Sequence, residues 1–216
     1  MVEIALKILL YAPPVLLSII LHEVSHGYVA YRMGDPTAKL AGRLTLNPIK
    51  HIDVMGTIIL PAILLIVSKG QLAFGWAKPV PVNPLRTPDP KKTMGITAAA
   101  GPITNLLLAA FCVLALRALP LRSLSPIDAG AFTPLAHMMF GGLIINVVLG
   151  VFNLIPVPPL DGGRVVTWLL PDDLSRKYAR IEPYGLIIIF GLLIINPGNI
   201  LGKAIYGVLR IFLIFL

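Results

Sequence analysis

A single cysteine, Cys112, stands in the 216-residue chain, inside an apolar segment. No disulfide framework is therefore available within the chain, and the thiol reads as a small core group. Charge is equally scarce: Lys, Arg, Asp and Glu make up 13% of the residues, against 56% that are hydrophobic. That balance points away from a soluble domain and towards an integral membrane protein. Low-complexity tracts and internal repeats are missing, and no small-residue cleavage site follows the first apolar run. That run is therefore expected to be retained, not removed as a signal peptide. The net charge of +8 raises nucleic acid as a partner. The basic residues lie in short loops between apolar runs, however, where they set membrane orientation and do not form a nucleic-acid surface.

What is present is a series of apolar runs near or above the length that spans a bilayer. The expectation is an all-α polytopic membrane protein, one domain over residues 1–216 with its core at 13–165 and C-terminal membrane segments at 184–216. It is a helix bundle of about four to six membrane segments. A first helix is predicted from Pro13–Pro14 to Met33, stopped by Gly34 and Pro36. Residues 54–68 are apolar, short and broken by Pro61, and "KPVPVNP" at 78–84 reads as an extended, β-like segment because proline pushes its predecessor out of helix. Further spans are predicted at 94–117 and 138–155, an interfacial stretch at 165–180, and one broken span or two shorter ones after Gly185. If 54–84 dips in and returns, the loops 32–53, 85–93 and 158–183 share eleven basic residues on one side, facing Lys7, Arg117 and Arg122 on the other. The positive-inside rule favours this re-entrant arrangement, with the N-terminus outside the cytoplasm.

The first helix carries His22, Glu23 and His26 in "LHEVSHG". Ionisable groups are costly at that depth in lipid. Residues i and i+4 share a helix face, so the two histidines can hold one metal ion with Glu23 beside them as general base. Imidazole donors and the need for a third ligand plus water point to zinc. Asp161 is the third candidate: it follows a helix that must end before Pro156, Pro158 and Pro159, and Gly162–Gly163 allows a tight turn after it. Ser18, His22, Ser25 and His26 form one polar stripe facing the bundle interior. Gly142, Asn146, Gly150 and Asn153 form another on the third span. On spacing alone Asn105, Asn146 and Asn153 are as readily helix–helix contacts as functional groups. His51 and Trp76 read as interfacial or structural, with His51 open to a part in the site.

HEVSH at 22–26, AGPITN at 100–105 and NLIPVPPLDGG at 153–163 together resemble the site-2 protease family of intramembrane zinc metalloproteases, and "GRLTLNPIKHIDVMGT" and "FGWAKPVPVNP" resemble its compact prokaryotic branch. The resemblance implies that His22, His26 and Asp161 bind zinc and that Glu23 activates water. It also implies that Asn105 and Asn153 handle the substrate. The expected partners are a transmembrane protein or peptide substrate and the lipid bilayer, in a prokaryotic cell membrane with the metal site towards the cytoplasm. No PDZ or CBS regulatory domain is expected in the chain. The rival reading is a non-proteolytic membrane protein with a metal site, either a transporter or an inactive scaffold. A transporter would string ionisable groups along a route, and residues 94–116 and 138–157 carry none.

Overall fold

The structure is a computed structural model describing residues 2–67, 75–119, 126–195 and 197–216. Its elements in chain order are α1 (Val2–Arg32), α2 (Thr37–Leu40), α3 (Leu60–Val67), α4 (Pro90–Ala118), α5 (Pro126–Asn153), α6 (Asp161–Leu169), α7 (Asp172–Ala179), α8 (Gly185–Ile195) and α9 (Ile200–Leu213). Among the described residues no β-strand forms. Four helical stretches are long and apolar enough to cross a membrane: Leu9–Arg32, Pro90–Ala118, Thr133–Asn153 and Asp172–Ile195. The chain is thus an all-α, multi-pass membrane protein.

α1 does not begin at the proline pair. The helix runs through Pro13 and Pro14 from Val2. A proline interrupts only its own bond to the carbonyl one turn back, and such breaks are tolerated in membrane helices where side chains re-satisfy the freed groups. Its end follows expectation. Gly34, at φ 107°, closes the helix, and the Asp35 amide reaches back to the Ala30 carbonyl at 2.9 Å. α4 starts four residues before the predicted boundary because Asp89 caps it, accepting from the Lys92 amide at 3.0 Å, with Pro90 in the first turn. α5 likewise begins before residue 138, and it ends at Asn153, short of the proline run.

α1, α4 and α5 pack around one another. Ala109, Cys112 and Val113 of α4 meet Leu143 and Val147 of α5 in the buried core, and Ile205, Val208, Leu209 and Phe212 of α9 cover it. The small residues of α5 permit the close approach. A side chain at Gly142 would come within 3.0 Å of the Cys112 sulfur, and one at Gly150 within 3.3 Å of Leu106.

Residues 54–67 are helical in two pieces, a wide turn over Val54–Ile59 and then α3, with Pro61 in the first turn of α3. The chain returns beside its own start, because the Trp76 amide donates to the Gly56 carbonyl at 3.1 Å. Residues 68–74 of this predicted excursion lie outside the described residues. The β-like segment is present as non-helical chain over 75–83. It is not a strand of a sheet, since Pro79 and Pro81 can donate nothing to a ladder. The tail after Gly185 is two helices, α8 and α9, parted by Gly198 and Asn199 in left-handed geometry. Residues 165–180, predicted as an interfacial stretch, fall in α6 and α7, and Lys91 at the start of α4 ties them down, donating to the Leu170 carbonyl at 2.6 Å and to Asp172 at 2.7 Å.

Candidate metal centre

One helical turn separates His22 and His26 on α1. Their rings meet edge to face at 4.7 Å, and the two Nε2 atoms are 3.1 Å apart. Asp161 comes to them as the first residue of α6, with Oδ2 3.2 Å from Nε2 of His22 and 3.3 Å from Nε2 of His26. The glycines after Asp161 therefore serve differently from the tight turn expected of them. They form the first turn of α6, where a side chain at Gly162 would strike the Leu154 carbonyl and one at Gly163 the Pro158 amide nitrogen. The α6 N-terminus can lie against the 154–158 loop only because both lack a Cβ.

Protons on the imidazoles are fixed by what lies behind them. His22 Nδ1 is 2.6 Å from Oδ1 of Asn105, and His26 Nδ1 is 2.7 Å from the Thr97 carbonyl. Both partners accept, so each Nδ1 carries the hydrogen and each Nε2 presents a lone pair. Asn105 itself is oriented. Its amide donates to Oδ1 of Asn146 at 2.8 Å, and Asn146 donates to the Ser18 hydroxyl at 2.8 Å and to the Gly142 carbonyl at 2.8 Å. Gly101 lies flat against the cluster, where a Cβ would sit 2.5 Å from Cε1 of both imidazoles.

Three lone-pair atoms thus face one another at 3.1–3.3 Å, and the Asp161 Oδ2 is buried without a hydrogen-bond partner. Such a cluster is repulsive unless a cation, or a proton in its place, sits between them. A tetrahedron with metal–ligand bonds of about 2.0 Å has edges of roughly 3.3 Å, so the residues fit a zinc-sized ion with two nitrogen donors and one oxygen donor. This His22–His26–Asp161 set is the cluster among the described residues able to hold a metal.

Beside it opens a cavity of about 410 Å³. Glu23, Asn153, Thr97 and Arg164 line it, together with the apolar Val80 and Leu160. Glu23 accepts the Val80 amide through Oε2 at 2.9 Å. The hydrogen bonds of Trp76, Lys78 and Val80 leave from one edge of the segment, to Gly56, Thr57, His51, Arg43 and Glu23. Among the described residues none engages the backbone of Ala77, Pro79 or Pro81, whose groups belong to the opposite edge.

The two asparagines expected to handle substrate separate. Asn153 is on the cavity wall, its amide spent on the Leu149 carbonyl at 3.0 Å. Asn105 is fully buried behind His22, bonded to its Nδ1, and is not among the residues that line the cavity. His51 is buried at the Thr45 carbonyl, 2.9 Å away, and is not at the site. Trp76 covers Gly56, where a side chain would collide with the indole. Sequence reasoning missed the Thr97 carbonyl, Gly101 and the Val80 amide. Gly101 and Thr97 are one turn apart in a run of small residues, which is the signal that hinted at a close approach there.

The sequence profile of peptidase family M50 matches residues 11–195. The chain belongs to peptidase family M50. It is similar to YwhC of Bacillus subtilis, whose name assigns it provisionally as a zinc metalloprotease, at 40% identity over 84% of this chain and 78% of that protein. It is also similar to Rip2 of Mycolicibacterium smegmatis, named in the same provisional way, at 32% identity over 83% of this chain and 64% of that protein. A zinc metalloprotease of Methanocaldococcus jannaschii matches at 25% identity over 83% of this chain and 42% of its own length. No solved structure matches the chain. M50 membership and the apolar helices agree with the resemblance carried by HEVSH, AGPITN and NLIPVPPLDGG.

Proposed function

We propose that this M50 peptidase is an intramembrane zinc metalloendopeptidase that hydrolyses peptide bonds within or near transmembrane segments of other proteins. One observation carries the reading: two imidazole nitrogens and a partnerless carboxylate oxygen lie 3.1–3.3 Å apart, in a chain with four apolar helices. His22, His26 and Asp161 hold the metal, and the names of the relatives support zinc as its identity. Asn105 and the Thr97 carbonyl keep the two imidazoles in the ligating tautomer and orientation. When bound, the metal polarises the scissile carbonyl and makes water acidic enough to deprotonate near neutral pH.

Glu23 takes the proton from that water and delivers it to the leaving amine. The Val80 amide holds the carboxylate at the cavity in readiness. A substrate helix hides its peptide groups in its own hydrogen bonds, so it must unwind to be cut. The free edge of residues 77–81 is where the unwound strand pairs. Asn153 and Arg164 line the same cavity as Pro79 and Val80. The apolar exterior of the bundle meets lipid, and the relatives' bacterial and archaeal sources support a prokaryotic cell membrane.

Glu23→Gln tests the mechanism. The variant is expected to keep stoichiometric zinc while cleavage of a model transmembrane peptide falls by about 10²- to 10⁴-fold. Cleavage at the parental rate would remove Glu23 from its role.

A further inference from the structure

Outside the metal cluster and apart from His51, Asp35 and Arg43 are the acidic and basic side chains buried among the described residues, at 0% and 7% exposure. A buried charge is costly unless strongly hydrogen-bonded. Both direct bonds to one neighbour, the segment along the cavity. Asp35, just past the end of α1, accepts the Asn83 amide through Oδ2 at 2.6 Å, and its other oxygen takes the Thr37 amide at 3.0 Å and the Thr37 hydroxyl. Arg43 donates from Nη2 to the Lys78 carbonyl at 2.7 Å. Midway between these anchors the Val80 amide meets Glu23.

Prolines explain why charges are used. Pro79, Pro81 and Pro84 leave Lys78, Val80, Val82 and Asn83 as the donors of residues 78–84. Few amide donors are available, so the bonds they make must be strong, and bonds to a full charge, such as that of the Asn83 amide to Asp35, are about twice as strong as neutral ones. The Asp35 carboxyl is matched to this duty. Burial acts to raise its pKa, but the Thr37 hydroxyl, the Asn83 and Thr37 amides and nearby Arg86 outweigh it and hold the group below its ordinary value. It therefore stays ionised at neutral pH.

We propose that Asp35 and Arg43 are positioning residues for peptide cleavage: they clamp the two ends of residues 78–83 and so hold the Val80 amide on Glu23 and the free edge in line with the metal. The inference rests on the proteolytic reading above. It goes beyond it by assigning the alignment of the segment to two charges that touch neither metal nor water.

The test uses the full chain in detergent or bilayer, with Asp35→Ala, Arg43→Ala and Arg43→Lys. Each variant is measured for zinc content, kcat and KM on a transmembrane peptide, and amide hydrogen exchange. In both alanine variants exchange at Val80 and Asn83 is expected to rise at least about tenfold, while α4 keeps its protection and zinc stays stoichiometric. Their kcat/KM is expected to fall roughly ten- to a hundredfold. Arg43→Lys, which retains a charged donor for the Lys78 carbonyl, is expected to recover most of the loss. Unchanged exchange at Val80 and Asn83 would overturn the clamp, as would a loosened segment with kcat/KM within about twofold of the parent. Loss of α4 protection in all three variants would also overturn it, by making these residues general supports of the fold. A parent that holds no metal and cuts nothing overturns the proteolytic reading instead, whereas an active parent beside equally active alanine variants overturns the clamp alone.

Discussion

Gly101 illustrates what a single residue does at this site. It has no side chain, and both imidazoles occupy the space one would fill. Neither ring can step aside cheaply, since each is anchored through Nδ1, one to Asn105 and the other to the Thr97 carbonyl. Gly101→Ala therefore forces the rings apart or displaces α4, an overpacking cost of about 1–3 kcal/mol. The variant is expected to fold and insert but to bind zinc at least about tenfold more weakly, read by competition with a chelator. Parental zinc affinity would show that the cluster has slack the geometry denies it. At this scale much was legible in the sequence. The pair His22 and His26 follows from helical periodicity alone, and a carboxylate after a proline run is a natural third donor. Asn105 was not legible in its true place. Its spacing marks it as polar within an apolar helix, but whether such a group faces a cavity or the back of a ligand depends on the rotation of α4 against α1, which periodicity within one helix does not fix.

Among elements, the segment over 75–83 keeps the non-helical course its prolines dictate without joining a sheet. Prolines at 79, 81 and 84 announce an extended chain, and that is what forms. The proline spacing also decides its two edges. One edge is tied to α1 and the loop after it through Trp76, Lys78 and Val80. The other has carbonyls at Ala77, Pro79 and Pro81, and the two prolines have no amide hydrogen to go with theirs. A substrate strand pairing beside Pro79 and Pro81 must supply donors and finds none returned by those two residues. Model peptides N-methylated at both residues opposite Pro79 and Pro81 are thus expected to be cut about thirtyfold more slowly, each lost bond contributing about 1 kcal/mol. Equal rates for methylated and parent peptides would show that substrate does not pair with this edge. Charged anchors such as Asp35 and Arg43 could not be read from the sequence, because loop charges are ordinarily solvated and only the tertiary packing buries these two. The proline pair at 13–14 reads as the start of α1, yet the helix continues through it, and α4 and α5 also begin before the predicted residues 94 and 138.

Across the whole molecule, α1, α4 and α5 form the frame, α9 braces it, and α6 brings in Asp161 from far along the chain. By the positive-inside rule the charge distribution leads us to propose an orientation with Lys39, Arg86 and Arg176 towards the cytoplasm, opposite Arg117. Single cysteines at Lys39, Arg86 and Arg117, in a Cys112→Ala background, are expected to react with a membrane-impermeant thiol reagent from the cytoplasmic face at the first two and from the outer face at the third. Labelling of all three from one face would reject the arrangement. The convergence of α1 and α6 on one cation remains the claim on which every other depends. It is tested most directly by X-ray absorption at the zinc edge on purified protein, together with elemental analysis, for the parent and for Asp161→Ala. The account predicts one zinc per chain, with two imidazole nitrogens and a carboxylate oxygen at about 2.0–2.2 Å, and loss of that oxygen and of tight binding in the variant. A parent without stoichiometric metal, or a coordination shell identical in parent and variant, would contradict it.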